Sequence, residues 1–141
     1  MRRISPDEAR ELVEKQGYVY VDVRSVPEFE AGHPTGAYNV PLLHLGALGM
    51  SPNPRFMAVM QACFPKDAKL VVGCKAGGRS LQAATLLAGA GYVDVVDQRA
   101  GFEGAPAPGG GMEPGWRPRG LPTSAQAEPG HTWAELLEKA K

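Results

Sequence analysis

Apolar positions along the chain switch between helical and strand-like spacing, and the switching predicts the fold class. Near the start, Ala9, Leu12 and Val13 recur at helical intervals. They follow Ser5-Pro6-Asp7-Glu8, which combines a capping serine, proline at the first helical position and a glutamate three residues after the cap. Glu11 and Lys15 form a favourable pair four residues apart, and Gly17 supplies the stop. Residues 18–23 are rich in β-branched and aromatic side chains and alternate only weakly, as in a strand covered on both faces. Ser25-Val26-Pro27-Glu28 repeats the capping signal and predicts a short helix through Glu30, ended by Gly32. Residues 33–36 read as a turn, and 37–40 as a short strand closed by Pro41. Residues 42–51 carry no decisive pattern. Asn53 and Pro54 then predict the cap and first residue of a helix in which Phe56, Val59, Met60 and Cys63 recur, placing Cys63 on its buried face.

The second half repeats the alternation. Residues 69–73 predict a strand, a glycine-rich loop follows, and a helix opens with Leu81, Ala84 and Thr85 on one side before Gly89-Ala90-Gly91 breaks it. Residues 93–97 predict a further strand. Strands alternating with helices in this way call for an α/β fold, with a mainly parallel sheet, helices on both faces and right-handed crossovers. From 103 to 118 the composition turns to glycine and proline, too poor in apolar surface to offset its ordering entropy alone, which predicts a mobile surface loop. Thr132-Trp133-Ala134-Glu135 is another capping box, leading a helix over about 132–140 whose Trp133, Leu136 and Leu137 dock onto the body.

Composition narrows the function classes. A chain of 141 residues, 43% apolar, suits one domain with a real core, spanning 1–141. Zero net charge and scattered basic residues argue against nucleic acid or an acidic membrane surface as partner. The start has no apolar h-region and no window approaches a membrane span, so a cytoplasmic location is expected. Both cysteines, Cys63 and Cys74, are expected to be thiols. With His33 and His44 they lack metal-ligand spacing, so no metal is expected, nor is there a dinucleotide or P-loop motif.

The chemistry concentrates in Cys74-Lys75-Ala76-Gly77-Gly78-Arg79-Ser80, between a buried strand and a helix N-terminus. That crevice is where open α/β sheets place their ligands. The glycine pair can adopt backbone angles barred to other residues, so successive N–H groups can turn inward and form a concave anion nest around the Cys74 sulfur. A cation at a helix N-terminus opposes the dipole, so Arg79 points to an anion nearby. Asp22 and Arg24, two apart, project from one side of their strand near the loop and read as a buried pair holding loops in place. His33 reads as a hydrogen-bonded turn residue, while His44 and His131 have no readable role.

These blocks together resemble the rhodanese-like domains, specifically single-domain sulfurtransferases. The resemblance rests on Val21-Asp22-Val23-Arg24, Glu28-Phe29 with Gly32-His33, Gly36-Ala37 with Asn39-Val40-Pro41, the Cys74 to Ser80 loop, and Gly101-Phe102. It covers roughly residues 3 to 122, with Trp116 and Gly120-Leu121-Pro122 similar to a closing block displaced by an insertion at about 104–115. Where the family usually has Gly-His-Ile-Pro-Gly-Ala, this chain has Gly32-His33-Pro34-Thr35-Gly36-Ala37. The resemblance implies a three-layer fold around a mainly parallel five-stranded sheet. It also implies a thiosulfate sulfurtransferase without metal or organic cofactor. Cys74 would form a persulfide, and Lys75, Ala76, Gly77, Gly78, Arg79 and Ser80 would bind the anion. A free thiol titrates at about 8.5, and a helix N-terminus with nearby cations lowers it, so Lys75 and Arg79 would favour thiolate and neutralise thiosulfate. The expected partners are a small sulfur anion and a thiophilic acceptor such as cyanide or a thiol. A persulfide carrier serving protein donors and acceptors is the alternative. Phosphatase or arsenate chemistry fits less well, because four residues separate Cys74 from Arg79 where cysteine phosphatases have five.

Overall fold

The computed structural model describes residues 1–141. In chain order the first half comprises β1 (Arg2–Ile4), α1 (Pro6–Lys15), β2 (Val19–Asp22), α2 (Val26–Glu30), β3 (His33–Pro34), β4 (Tyr38–Asn39), β5 (Leu43–Gly46) and β6 (Gly49–Pro52). The second comprises α3 (Phe56–Cys63), β7 (Lys69–Gly73), α4 (Gly78–Gly89), β8 (Asp94–Gln98), β9 (Gly104–Pro106), β10 (Met112–Pro114), β11 (Thr123–Ser124) and α5 (Trp133–Lys139). Five strands pair in parallel in the order β1-β8-β7-β2-β4. The edge strand β1, too short for any periodicity, carries no signal in the sequence.

Strand side chains alternate between two cores, which is why the central strands read as nearly continuous apolar runs. Val21, Leu70, Val72 and Val95 pack with Val59 and Met60 of α3, Ala83, Ala84 and Leu87 of α4, and Leu136 of α5. On the opposite face, Tyr20, Val71, Val96 and Ile4 pack with Ala9 of α1 and Phe29 of α2. The two capping boxes bracket that face: Ser5 Oγ accepts from the Glu8 amide at 3.1 Å, and the Glu28 carboxylate accepts from the Ser25 amide at 3.0 Å.

Several local expectations are corrected. The inward face of α4 is Ser80, Ala83, Ala84 and Leu87, while Leu81 and Thr85 face solvent. A buried serine beside small alanines sets that face; apolar periodicity alone misses it. Helix α3 begins at Phe56, because Asn53 spends its side chain on the preceding turn, accepting from the Arg55 amide at 2.9 Å and donating to Pro41 O at 2.8 Å. Cys63, at the last turn of α3, is only half-buried. Residues 42–51 largely form the β5–β6 hairpin, and the turn at 33–36 begins with two residues paired to β11.

The glycine- and proline-rich insertion lies at the surface as expected, yet it is built as the β9–β10 hairpin. Its anchors are charges and one aromatic ring. Glu113 accepts from Arg99 Nε at 2.8 Å and Nη2 at 2.9 Å. Beyond the hairpin, Trp116 is buried edge-on to Tyr20 and donates Nε1–H to Pro122 O at 2.7 Å. No helix is long and apolar enough to cross a membrane.

Candidate functional site

Cys74 follows the last residue of β7, at the carboxyl rim of the sheet. Its residue is 2% exposed, so the sulfur sits nearly inside the protein. The Gly77 amide donates to Sγ at 3.1 Å, and the thiol lies 3.5 Å from Ser80 Oγ, which in turn donates to Gly77 O at 3.3 Å. The ring of amides expected from the glycine pair is thus smaller: one N–H donates to the sulfur, and the thiol donates in turn to the Ser80 hydroxyl oxygen. Gly77 has φ +93°, a left-handed angle that turns its amide toward the sulfur at little cost to glycine.

The back of the loop rests on the turn after β8. The Phe102 amide donates to Cys74 O at 2.7 Å and the Glu103 amide to Lys75 O at 3.0 Å. Both carbonyls are thereby tied to that turn, which fixes the loop backbone beside the sulfur. Gly101 permits that close approach, since a Cβ there would meet Lys75 O at 2.3 Å. Gln98, fully buried, shapes the turn: its Oε1 accepts from the Ala100 and Gly101 amides at 2.9 Å each, and its Nε2 donates to Gly101 O at 2.8 Å.

The charges are arranged differently from the sequence expectation. Arg79 is turned onto Glu28 in a two-point ion pair, at 2.6 and 3.0 Å. The anion signalled by that cation is therefore supplied by the protein. Burial acts to raise the Glu28 carboxyl, but hydrogen bonds from Arg79 and Ser25, with the charge of Arg79, outweigh it and hold the group at about 2. Lys75 is exposed and makes no ion pair. Ala76 and Gly78 complete the loop at exposed positions.

Asp22 and Arg24 form the buried pair that their spacing suggests. Asp22 accepts from Arg24 Nε at 3.0 Å and Nη2 at 2.8 Å, Arg24 Nη2 also donates to Gly32 O at 2.7 Å, and the guanidinium lies 4.3 Å over the Phe102 ring. This pair ties the end of β2 to the α2–β3 link and to the turn behind the loop. Of the histidines, His33 stacks on Phe29 and hydrogen-bonds Phe29 O at 2.8 Å, His131 stacks on Tyr38, and His44 tilts against Trp133.

Beside the loop opens a cavity of about 320 Å³ lined by Arg24, Glu28, Lys75, Phe102, Glu103 and Arg117 among others. Arg117 pairs with Glu103, with Nε–Oε1 at 2.5 Å. The sequence reading missed Glu28 as the partner of Arg79, Gln98, and the rim formed by Phe102, Glu103 and Arg117. Glu28 and Phe102 stand in the blocks that carry the resemblance, whereas Gln98, directly after Asp97, has no signal of its own in the sequence.

Comparison with known proteins adds an independent line. Residues 5–105 match the rhodanese-like domain family. Thiosulfate sulfurtransferase 16, chloroplastic, of Arabidopsis thaliana is 40% identical over 109 residues, covering 77% of this chain and 82% of that protein. Senescence-associated protein DIN1 of Raphanus sativus is 42% identical over 94 residues, which make up 67% of this chain and 51% of that longer relative. Among solved structures, Rv0390 from M. tuberculosis superposes with a TM-score of 0.73 at 28% identity, over 89% of this chain and 98% of its own.

Proposed function

The chain belongs to the rhodanese-like domain family, and from that premise we propose that it is a sulfurtransferase acting through a persulfide on Cys74, with thiosulfate or a related anion as donor. The observation that carries the proposal is the Gly77 N–H aimed at Cys74 Sγ from 3.1 Å, at a strand-to-helix junction. A dipole fixed in that position favours negative sulfur without having to reorganise during the reaction.

In the proposed cycle the Cys74 thiolate attacks the outer sulfur of thiosulfate. The new bond is sulfur to sulfur; the bond to the sulfonate sulfur breaks, and sulfite leaves with its electron pair. Cys74 then carries a persulfide anion, and the Gly77 N–H is the donor placed beside its sulfur. A nucleophilic acceptor, cyanide or a thiolate, takes the terminal sulfur and regenerates the thiolate. The near-complete burial of Cys74 supports small donors and acceptors over direct contact with a bulky protein group.

Intact-mass measurement after thiosulfate treatment tests the first step, and thiocyanate release with cyanide tests the second. Gain of one sulfur atom, absent in Cys74→Ser, is the expected result. An unmodified wild-type chain would refute the reading. Persulfide accepted only from a protein donor, without turnover of thiosulfate, would favour the carrier role instead.

A further inference from the structure

The β5–β6 hairpin stands apart from the central sheet, and much of its apolar side is uncovered. Its register sets Leu45 opposite Met50 and Leu43 opposite Pro52, so these four side chains share one face. At the base that face lies on the body, where Leu43 packs against the core. Toward the tip it runs into solvent: Leu45 and Met50 are about half-exposed, and Leu48 wholly so. Strand β6 is exposed along its whole length and its outer edge pairs with nothing. Exposed edges are ordinarily blunted by charge, yet residues 31–54 contain no lysine, arginine, aspartate or glutamate, and only Pro52 at the end of β6 serves that purpose. Leu43 and Pro52 also line a hollow of about 290 Å³ at the hairpin base, with Leu42, Phe56, Met57 and Leu86 among others.

We infer that this face binds a second copy of the chain, with β6 pairing antiparallel to its counterpart about a two-fold axis at Met50. A strand that pairs antiparallel with itself is self-complementary, as a two-fold interface requires. The axis sets Met50 against Met50 of the other copy, Gly49 against Ser51 and Leu48 against Pro52. Because Pro52 lines the hollow, each exposed Leu48 arrives at the hollow of the other copy, so the two uncovered tips lie over the two apolar bases. Charge selects the occupant. Two copies meet here without like-charge repulsion, and the whole chain has zero net charge, whereas a charged partner would lose solvation with no ion pair to offset it. The ten residues of the hairpin, Leu43–Pro52, and the rim of the hollow fall short of the roughly 20–30 residues a side of a standard interface, so a dissociation constant of about 10–100 µM is expected.

Sedimentation equilibrium of the full chain, from about 5 to about 500 µM so as to bracket that affinity, tests the inference. The mass should rise from monomer to dimer across this range. Met50→Lys sets two like charges across the axis and should weaken association at least about tenfold; Leu48→Asp, which carries a charge into the apolar hollow, should do the same. Both positions are exposed, so the monomers should keep their wild-type urea midpoints. An equimolar mixture of Met50→Lys and Met50→Glu places opposite charges across the axis and should restore the dimer. A chain that stays monomeric throughout overturns the inference and leaves the face to a protein of different sequence. A dimer that neither substitution weakens, or a mixture that does not restore it, overturns the two-fold pairing through β6. None of these outcomes bears on sulfur transfer, because no hairpin residue lines the cavity beside Cys74.

Discussion

The Gly77 amide points at Cys74 Sγ from 3.1 Å, and it does so through a backbone conformation that only glycine holds comfortably. A Cβ on Gly77 would stand 2.3 Å from Arg99 O, a backbone atom fixed by the turn behind the loop. Gly77→Ala therefore combines left-handed strain with a clash that neither side can relieve by rotating a side chain. The expected cost is about 2–4 kcal/mol of stability. Persulfide formation should also fall by at least about tenfold, because the amide leaves the sulfur. Urea unfolding and the rate of sulfur gain by mass measure the two effects, and a variant with wild-type rate would remove Gly77 N–H from the mechanism.

Gln98 makes the same loop depend on a residue that never touches the sulfur. Its side chain satisfies two amides and one carbonyl of the 98–101 turn, against which the Lys75–Ala76 peptide packs. Gln98→Leu keeps the volume and leaves buried amides unpaired, at about 1–3 kcal/mol for each group left unsatisfied. A lower unfolding midpoint together with slower persulfide formation is the expected pattern. If stability falls and the rate per folded molecule does not, Gln98 serves the fold alone.

How much of this was legible in the sequence follows from how local each signal is. Capping boxes at Ser5, Ser25 and Thr132 act within four residues, so the starts of α1, α2 and α5 could be read directly. Residues 69–73 were readable because an unbroken apolar run ends in glycine. The Cys74 loop was legible for its residue types, and the parallel sheet for its alternation. What escaped depends on contacts distant along the chain. Arg79 meets Glu28 across 51 residues, and no spacing rule links them, so a charge expected to face the substrate is closed by the protein. The insertion likewise reads as loose by composition, yet Glu113 collects Arg99 and Arg119 and fastens it. The outward turn of Leu81 was hidden by its own hydrophobicity; burial in α4 goes to Ser80 and the alanines.

The Glu28–Arg79 pair should make the protein sensitive to acid. Glu28 titrates at about 2 in the folded state, below the ordinary carboxylate range of about 4.3. A depressed folded value means that the stabilisation is fully present above the unfolded value and is lost as the pH falls from about 4.5 through 2. After solvent screening of this partly exposed pair, the contribution is about 1–2 kcal/mol. Glu28→Gln retains the capping-box geometry and should flatten the stability profile across that window. Equal slopes for wild type and variant in urea unfolding between pH 5 and 2 would show that the pair is not linked to folding.

Helix α5 supplies the converse case, a contact that matters for stability and not for chemistry. Leu136 is 3% exposed and shares the core with Val59 and Met60, while its carbonyl lies 3.6 Å from Cys63 Sγ. A hollow beside it is lined by Val19 and Ala68, at the amino ends of β2 and β7, whereas Cys74 stands at the carboxyl end of β7. Leu136→Ala should therefore cost about 2–4 kcal/mol through the cavity it leaves, with the persulfidation rate of Cys74 unchanged. Burial pushes the Cys63 thiol up and, with this packing, slows its alkylation. The same substitution should accelerate modification of Cys63, read by peptide mass after iodoacetamide. A matching loss of persulfidation at Cys74 in fully folded protein would mean that α5 reaches the site through the sheet, contrary to the separation of the two ends.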